Sequence, residues 1–382
     1  MTTRAHPDTG QSWRIPCLVP DLPGAADVHP YLAEMHAARW YSNFGPLVTR
    51  FEAAMGAFLA ASRVDGDAPL HVVSVASATG GLDLAVLAAD LPPRSRILVP
   101  AVTFPATLLA VHRAGHVPVI ADVDPQCWAL TPTIARQALS GADIAAVMPV
   151  APFGYPLPTA DWAAFQAETG APVLMDVAAS LGQQLVHGDV PAVFSLHATK
   201  PFGVGEGGLV VTGSASLADR VRRQSNFGFS RGVIVEPGTN AKMAEVLAAY
   251  GLAQLDRWQD VRAARLALAA RYRAALDRAG LADRLGLGPL CEGISPATFP
   301  VDTGERAGPV MAALAAAGIQ TRQWYLPPLH HHPAFADCAR VSGDLPVADR
   351  LHRSLVGLPF HVFLSDGELD SVCATLKDAL DG

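Results

Sequence analysis

Short apolar runs alternate with helical patterns through residues 71–212, and this alternation is the strongest constraint on the fold. The apolar runs are residues 71–76, 96–99, 117–121, 144–150, 172–176, 192–195 and 208–212. Such alternation predicts an α/β fold in which helices cover both faces of a mostly parallel sheet. Ligands of these sheets bind beyond the carboxyl ends of the strands. We therefore expect Ser77, Phe104 and Asp176, which end or follow strands, to converge on one site.

The rest of the chain divides around this region. Helical patterns over residues 26–62 are interrupted at 43–46 by Gly and Pro, and a long helical periodicity covers residues 243–280. We expect residues 1–255 to form a large α/β domain that begins with a helical segment. Residues 256–382 are expected to form a linking helix and a small C-terminal α+β domain.

Composition excludes several functional classes. The formal net charge of −7 argues against a nucleic-acid surface, which needs a basic patch. The five cysteines are scattered and form no CxxC, so neither a disulfide framework nor a zinc site is expected. The N-terminal residues lack the apolar segment of a signal peptide, and no apolar run reaches the length of about 20 residues that spans a bilayer. We expect a cytoplasmic enzyme without membrane contact.

Lysine is rare in this chain, with three residues against twenty-five arginines, and Lys200 stands in unusual surroundings. Its neighbours are apolar or small, and no other charged side chain follows until Glu206. A surface lysine is the ordinary alternative, but these neighbours disfavour it. A lysine amine can form an imine with a carbonyl compound, whereas a guanidinium stays protonated and cannot. Lys200 is therefore a candidate nucleophile and proton carrier.

Four further features fit a phosphate-bearing aromatic cofactor. Residues 77–82 follow a strand and begin a helix, where free N–H groups and the helix dipole attract a phosphate. Asp176 ends an apolar strand and could pair with a protonated pyridine nitrogen, and Phe104 could stack on the ring. Ser195 could contact the phosphate. A capped turn, a turn aspartate, a core phenylalanine and a strand-end hydroxyl are the respective alternatives. In combination they predict a site for pyridoxal 5'-phosphate (PLP).

The chain resembles the DegT/DnrJ/EryC1/StrS family of PLP-dependent sugar aminotransferases over residues 41–363. The matching stretches are residues 42–52, 77–82, 100–107, 176–182, 194–208, 226–229, 238–245 and 322–335. The resemblance implies fold type I, with a mostly parallel seven-stranded sheet in the large domain. It also implies that PLP alternates with pyridoxamine 5'-phosphate during the reaction.

The resemblance assigns roles to individual residues. Lys200 and Asp176 are the catalytic residues, as the Schiff-base lysine and the partner of the pyridine nitrogen. The resemblance implies phosphate contacts by Ala78, Thr79 and Ser195, and stacking by Phe104. Asn240 matches an asparagine that reaches the cofactor phosphate of the neighbouring subunit, which implies a homodimer with composite active sites.

One position departs from the family pattern. The family usually has Gln or His three residues after the aspartate, in contact with the phenolic oxygen of the cofactor. This chain has Ala179 there, followed by Ser180. The missing hydrogen bond could come from Ser180 or from water, or it could be absent.

Substrate contacts are expected from Asn43, Tyr325, His330 and His331. The run of histidines at 330–332 suggests a metal site, but adjacent residues point in different directions and metal ligands are usually spaced, so no metal is expected.

The resemblance implies transfer of an amino group from an amino acid, with L-glutamate preferred, to a keto group of a nucleotide-linked deoxysugar. A dTDP-4-keto-6-deoxyhexose is the preferred substrate, and a cyclitol ketone is the nearest alternative. A PLP-dependent sugar dehydratase or lyase, a regulator and an inactive structural homologue are also considered. The retained Lys200 disfavours the dehydratase branch, in which His replaces it, and no additional DNA-binding segment supports a regulator.

Overall fold

A computed structural model describes residues 12–66, 69–290 and 293–382. Cys291 and the first eleven residues, which entered the predictions about cysteines and a signal peptide, lie outside the described residues. Within the described ranges, no helix combines the length and apolar character needed to cross a membrane.

Helices and strands alternate along most of the chain. The helices are α1 (Ala25–Ala38), α2 (Pro46–Ala60), α3 (Ala78–Ala88), α4 (Ala106–Arg113), α5 (Pro132–Gly141), α6 (Thr159–Thr169), α7 (Ala215–Gln224), α8 (Glu245–Asp256), α9 (Trp258–Arg278), α10 (Ala307–Ala316), α11 (Pro346–Ser354) and α12 (Asp366–Asp381). The strands are β1 (His71–Val75), β2 (Arg96–Pro100), β3 (Val117–Ala121), β4 (Ala146–Val147), β5 (Met175–Asp176), β6 (Ala192–Ser195), β7 (Gly208–Thr212), β8 (Phe229–Ser230), β9 (Val233–Ile234), β10 (Phe299–Asp302), β11 (Ala339–Arg340) and β12 (Leu355–Leu358).

The seven predicted strands are all present, and together with β11 they form two adjoining four-stranded sheets. One has the order β1-β7-β6-β5 and the other the order β11-β3-β2-β4. Single parallel bridges, Val147 to Val173 and Val150 to Asp176, connect the two across β4 and β5. The strand β7 is antiparallel to both of its neighbours, and the other pairs in these sheets are parallel. The predicted α/β class is thus confirmed, and β11 adds an edge strand that the sequence did not predict.

The helical pattern over residues 243–280 corresponds to two helices, α8 and α9, which meet at Arg257. Arg257 is not helical (φ −98°, ψ 3°), which interrupts a periodicity that otherwise continues. In the C-terminal region, β10 pairs antiparallel with β12, and one hydrophobic cluster joins Ile15 to the buried faces of α9, α10 and α12. The domain boundary between residues 255 and 256 stays a prediction.

The interruption at residues 43–46 is held in place by a buried carboxylate from α8. Glu245 is fully buried and accepts hydrogen bonds from Leu47 N (2.8 Å) and Val48 N (3.0 Å) at the start of α2. These N–H groups have no acceptor within the helix, and the helix dipole favours a negative charge there. The contact therefore fixes the N-terminal helices against α8.

Candidate active site

A cavity of about 460 Å³ opens at the carboxyl ends of β1, β2, β5 and β6. Its walls come from the segments that follow these strands, from the N-terminal segment, and from residues 297–298 and 324–325 of the C-terminal region. The lining residues are Leu18, Ser77, Ala78, Thr79, Leu82, Thr103, Phe104, Ala106, Val150, Ala151, Asp176, Ala178, Ala179, Ser195, His197, Thr199, Lys200, Glu206, Ala297, Thr298, Trp324 and Tyr325. Ser77, Phe104, Asp176 and Lys200 therefore meet as expected.

Asp176 is buried at the end of β5, and its carboxylate accepts two hydrogen bonds from the chain. The Thr107 hydroxyl donates to Oδ2 (2.7 Å), and the backbone N–H of Ala178 donates to Oδ1 (3.2 Å). Burial raises the pKa of the Asp176 carboxyl, while these two donors and the Lys200 amine oppose the rise. A carboxylate in this position gains from a cationic partner inside the cavity.

Lys200 is half-buried on the same cavity, in the loop between β6 and β7. Its backbone N–H donates to the His197 carbonyl (2.9 Å), which fixes the loop. Burial lowers the pKa of the Lys200 amine, and the nearby Asp176 carboxylate opposes that change. A lowered pKa increases the neutral fraction of the amine, which is the nucleophilic and basic form.

The N-terminus of α3 forms another part of the cavity wall. Ser77 is the N-cap, and its hydroxyl accepts from Gly80 N (3.1 Å). Ala78 and Thr79, in the first turn, line the cavity. Gly208 lies directly behind this turn, since a Cβ atom there would lie 2.6 Å from Ala78 N. The free N–H groups of this turn offer an anion site.

Phe104 and Ser195 also line the cavity, and their burial differs. Phe104 is 59% exposed, so its ring does not belong to the hydrophobic core and is available to a planar ligand. Ser195 is buried, and its hydroxyl accepts from His197 N (3.2 Å). The ordinary alternative of a core phenylalanine is thereby excluded for residue 104.

Five of the predicted site residues do not line this cavity: Ser180, Asn240 and Asn43, described here, and the two histidines described below. Ser180 is fully buried and its hydroxyl donates to the Val177 carbonyl (3.1 Å), so the suggestion that it replaces the missing side chain at position 179 is wrong. Asn240 is exposed, and its side-chain oxygen accepts from Lys242 Nζ (2.7 Å). Asn43 is exposed in the turn before α2 with a positive φ of 61°. Among the described residues, none of these three lines the cavity.

The histidines of residues 330–332 lie in a short 3-10 turn beside α11. The Nε2 atoms of His330 and His331 each lie 2.9 Å from the same oxygen, Oδ1 of Asp349, although adjacent side chains were expected to diverge. The 3-10 turn brings the two consecutive side chains close enough for both imidazole rings to reach the same carboxylate oxygen. The Asp349 carboxylate accepts a hydrogen bond from His330, and neither histidine lines the cavity described above.

Tyr325 lines the cavity as expected, and its ring packs on Phe153 at a centroid distance of 5.2 Å. Burial raises the pKa of the Tyr325 hydroxyl well above its usual range. Thr107, Thr298 and Trp324 were not predicted from the sequence. Thr103 and Thr107 are two hydroxyl residues four positions apart in an otherwise apolar stretch, and that pattern could have indicated Thr107. Thr298 and Trp324 had no comparable signal.

Comparisons with known proteins identify the family of this chain. The model of the DegT/DnrJ/EryC1/StrS aminotransferase family matches residues 25–377. The dTDP-3-amino-3,4,6-trideoxy-alpha-D-glucose transaminase of Streptomyces venezuelae is 32% identical over 327 residues, which cover 82% of each chain.

Two solved structures extend the similarity to three dimensions. One, from Bacillus cereus ATCC 10987 and assigned as a PLP-dependent aminotransferase, superposes with a TM-score of 0.88 at 27% identity, covering 95% of this chain and 99% of the other. The other, DesI in the presence of its TDP-sugar product, gives a TM-score of 0.82 at 30% identity, covering 95% and 93%. The family match and the shared architecture lead to one conclusion: this chain belongs to the DegT/DnrJ/EryC1/StrS aminotransferase family.

Proposed function

We propose that this PLP-dependent aminotransferase transfers the amino group of L-glutamate to a keto group of a nucleotide-linked deoxysugar, with a dTDP-4-keto-6-deoxyhexose as the preferred acceptor. The observation that carries the proposal is the meeting of Lys200, Asp176, Phe104 and the α3 N-terminus in one cavity. The names of the S. venezuelae transaminase and of DesI with its TDP-sugar product support the acceptor class.

The residues present fit PLP. Asp176 offers a buried carboxylate to the pyridine nitrogen, and Phe104 offers an exposed ring face. Ala78 and Thr79, with Ser195, would hold the phosphate, where the N–H groups of the first turn of α3 favour an anion. Lys200 would attach the cofactor covalently. When bound, PLP withdraws electrons from the carbon next to the substrate nitrogen and so makes its proton acidic.

The Lys200 amine has the second task of moving that proton. Once the amino acid has displaced Lys200 from the cofactor, Nζ is free and its lowered pKa favours the neutral form. Nζ would accept the proton from the substrate Cα and pass it on to the cofactor, and it would carry a proton in the opposite direction when the keto acceptor is bound. Asp176 keeps the pyridine nitrogen protonated by offering it a negative charge in a buried position.

Two subunits would complete each site. Asn240 is exposed and lies away from the cavity of its own chain. In a homodimer it would reach the cofactor phosphate of the neighbouring subunit, as the family resemblance implies. Residues Asn43, His330 and His331 also stay candidates for contacts with the sugar nucleotide.

The test is a coupled assay with PLP, L-glutamate and dTDP-4-keto-6-deoxyglucose, with the amino sugar and 2-oxoglutarate detected by mass spectrometry. We expect equal amounts of both products. The Lys200→Ala variant should lose turnover by a factor on the order of 10² to 10⁴, because it lacks the proton carrier. Lys377→Ala, which removes an exposed lysine of α12 that pairs with Asp381, tests for effects of lysine removal as such. Turnover that survives Lys200→Ala would contradict the assignment.

A further inference from the structure

One hydroxyl in the cavity wall has no partner. Thr298 is 8% exposed, and its Oγ1 is the one buried side-chain polar atom among the described lining residues that forms no hydrogen bond within the chain. Among the other hydroxyls that line the cavity, those of Ser77, Thr103, Ser195 and Thr199 have partners in Gly80, Thr107 and His197. A buried hydroxyl without a partner is unfavourable, so its presence in a ligand cavity indicates a partner on the ligand.

The position of Thr298 is fixed by its neighbours. The Phe153 carbonyl accepts from Ala297 N (2.8 Å) and Thr298 N (3.4 Å), and the buried Arg265 guanidinium donates to the Pro296 carbonyl (2.7 Å). The hydroxyl is therefore carried by a segment that is held from both sides, which is how a binding group is preorganised.

The same segment lies against Ala179. A Cβ atom placed on Gly154 would be 2.6 Å from Ala297 N and 2.8 Å from Ala179 O, so the two segments meet at this glycine. Gly154 has a positive φ of 91°, which suits a residue without a side chain. Ala179 lines the cavity with a methyl group and offers no side-chain donor. Thr298 and Ala179 line the same cavity on segments that meet at Gly154, so Thr298 brings a hydroxyl to the wall in which position 179 carries no donor.

We propose that the Thr298 hydroxyl donates a hydrogen bond to the phenolic oxygen of PLP, in place of the side chain that is missing at Ala179. The inference rests on the proposed function, because it requires PLP in this cavity. The phenolic oxygen carries negative charge, and a hydrogen bond to a charged acceptor is stronger than one between neutral groups. Such a donor stabilises the deprotonated form of the bound chromophore and lowers the pH at which its visible band titrates.

The test compares the visible band of the PLP-loaded protein between pH 5 and 10 for the wild type, Thr298→Val and Thr298→Ser. Valine keeps the shape and removes the hydroxyl, whereas serine keeps the hydroxyl. We expect Thr298→Val to raise the titration midpoint by about one to two pH units and to weaken PLP binding about tenfold. Thr298→Ser should stay near the wild type. The other titratable groups of the cavity, Asp176, His197, Lys200, Glu206 and Tyr325, are the same in all three proteins.

Ser295→Ala is the matched control. The Ser295 hydroxyl is also buried without a partner and belongs to the same segment, but it does not line the cavity. We expect this variant to keep the wild-type midpoint and PLP affinity. An unchanged midpoint in Thr298→Val, or a change confined to the KM of the keto substrate, would overturn the inference. A wild-type protein without any visible band would instead overturn the proposed function itself.

Discussion

The Asp176 carboxylate depends on a contact that joins two distant segments of the chain. Thr107, on α4, donates to its Oδ2 at 2.7 Å, and Thr103 lies 2.8 Å from the Thr107 hydroxyl. Burial raises the pKa of Asp176, and the Thr107 hydroxyl is the largest contribution that lowers it. Thr107 is therefore a positioning residue: its hydroxyl opposes the effect of burial on the Asp176 pKa and fixes the carboxylate by a hydrogen bond.

The change Thr107→Val tests this contact in the cofactor-free protein. It should lower the free energy of unfolding by about 1.5 to 3 kcal/mol at pH 7, the usual value of a hydrogen bond to a charged group. The Asp176 pKa should rise further above its ordinary value of 3.8. In the unfolded chain the Asp176 carboxyl ionises above its ordinary pKa of 3.8. The loss of stability in Thr107→Val therefore grows as pH rises toward the raised pKa of the folded protein, and it fades as pH falls to about 4.

Urea denaturation at pH 7 and at pH 4 measures the difference between each variant and the wild type. Thr107→Ser keeps the hydroxyl and should lose less stability at pH 7 than Thr107→Val. Equal losses for serine and valine at both pH values would mean that packing of the methyl group, rather than the hydrogen bond, determines the effect.

At the level of single residues, those whose side chain performs a chemical task by itself could be predicted from the sequence. Lys200 and Asp176 could be proposed from the sequence because an imine needs a lysine and because a carboxylate that ends a buried strand needs a partner. Thr298 was not identified, because its importance comes from lacking a partner in the folded chain. Ser180 was assigned wrongly because the direction of its side chain depends on the local turn, in which it bonds Val177.

At the element scale, the first turn of α3 and the strand behind it form the proposed phosphate site. Gly208 begins β7 and pairs with Val75 of β1 and Ser195 of β6. A Cβ atom there would lie 2.6 Å from Ala78 N and 2.8 Å from Ala78 Cα, which are backbone atoms that cannot move without displacing the helix.

We expect Gly208→Ala to weaken PLP binding about tenfold or more, because overpacking would shift the N–H groups of α3. Equilibrium dialysis with PLP measures the affinity, and circular dichroism checks that the protein is folded. Gly141→Ala is the control, since a Cβ atom at Gly141 meets nothing within 4 Å. If both variants bind PLP like the wild type, the α3 N-terminus does not hold the phosphate.

The long apolar strands and their covering helices were predictable because periodicity and apolar runs report burial directly. The strands β8, β9 and β11 have two residues each, too short to show alternation. Their formation depends on pairing with a neighbour, as β11 pairs with β3 from more than 200 residues away in sequence. The boundary between α8 and α9 was missed since only the backbone of Arg257 interrupts the pattern.

For the whole molecule, the exposed apolar surface indicates an interface. Phe227, Phe229, Val233, Ile234 and Val235, around the β8–β9 hairpin, are between 42% and 64% exposed. Such a cluster is unusual on a monomer and is typical of a surface that a partner covers. Asn240 follows the hairpin in the chain and bridges to Asn226, so the proposed phosphate contact and the apolar hairpin are close together.

We predict that the wild type is a dimer by sedimentation velocity and that Ile234→Asp shifts it toward monomer. The buried charge would be costly at such an interface, and PLP affinity should fall because Asn240 leaves the neighbouring site. Val341→Asp, also at an exposed apolar residue but just after β11 at the opposite edge of the sheets, should stay dimeric. A monomeric wild type that binds PLP fully would contradict the composite site.

The visible absorption spectrum of the purified protein with PLP, before and after an excess of L-glutamate, most directly tests whether the cavity around Lys200 and Asp176 holds PLP. We expect a band that forms with the wild type, is missing with Lys200→Ala, and bleaches as glutamate converts the bound cofactor to pyridoxamine 5'-phosphate. A wild-type protein that forms no band would show that the cavity around Lys200 and Asp176 does not hold PLP. A band that ignores glutamate would contradict glutamate as the amino donor.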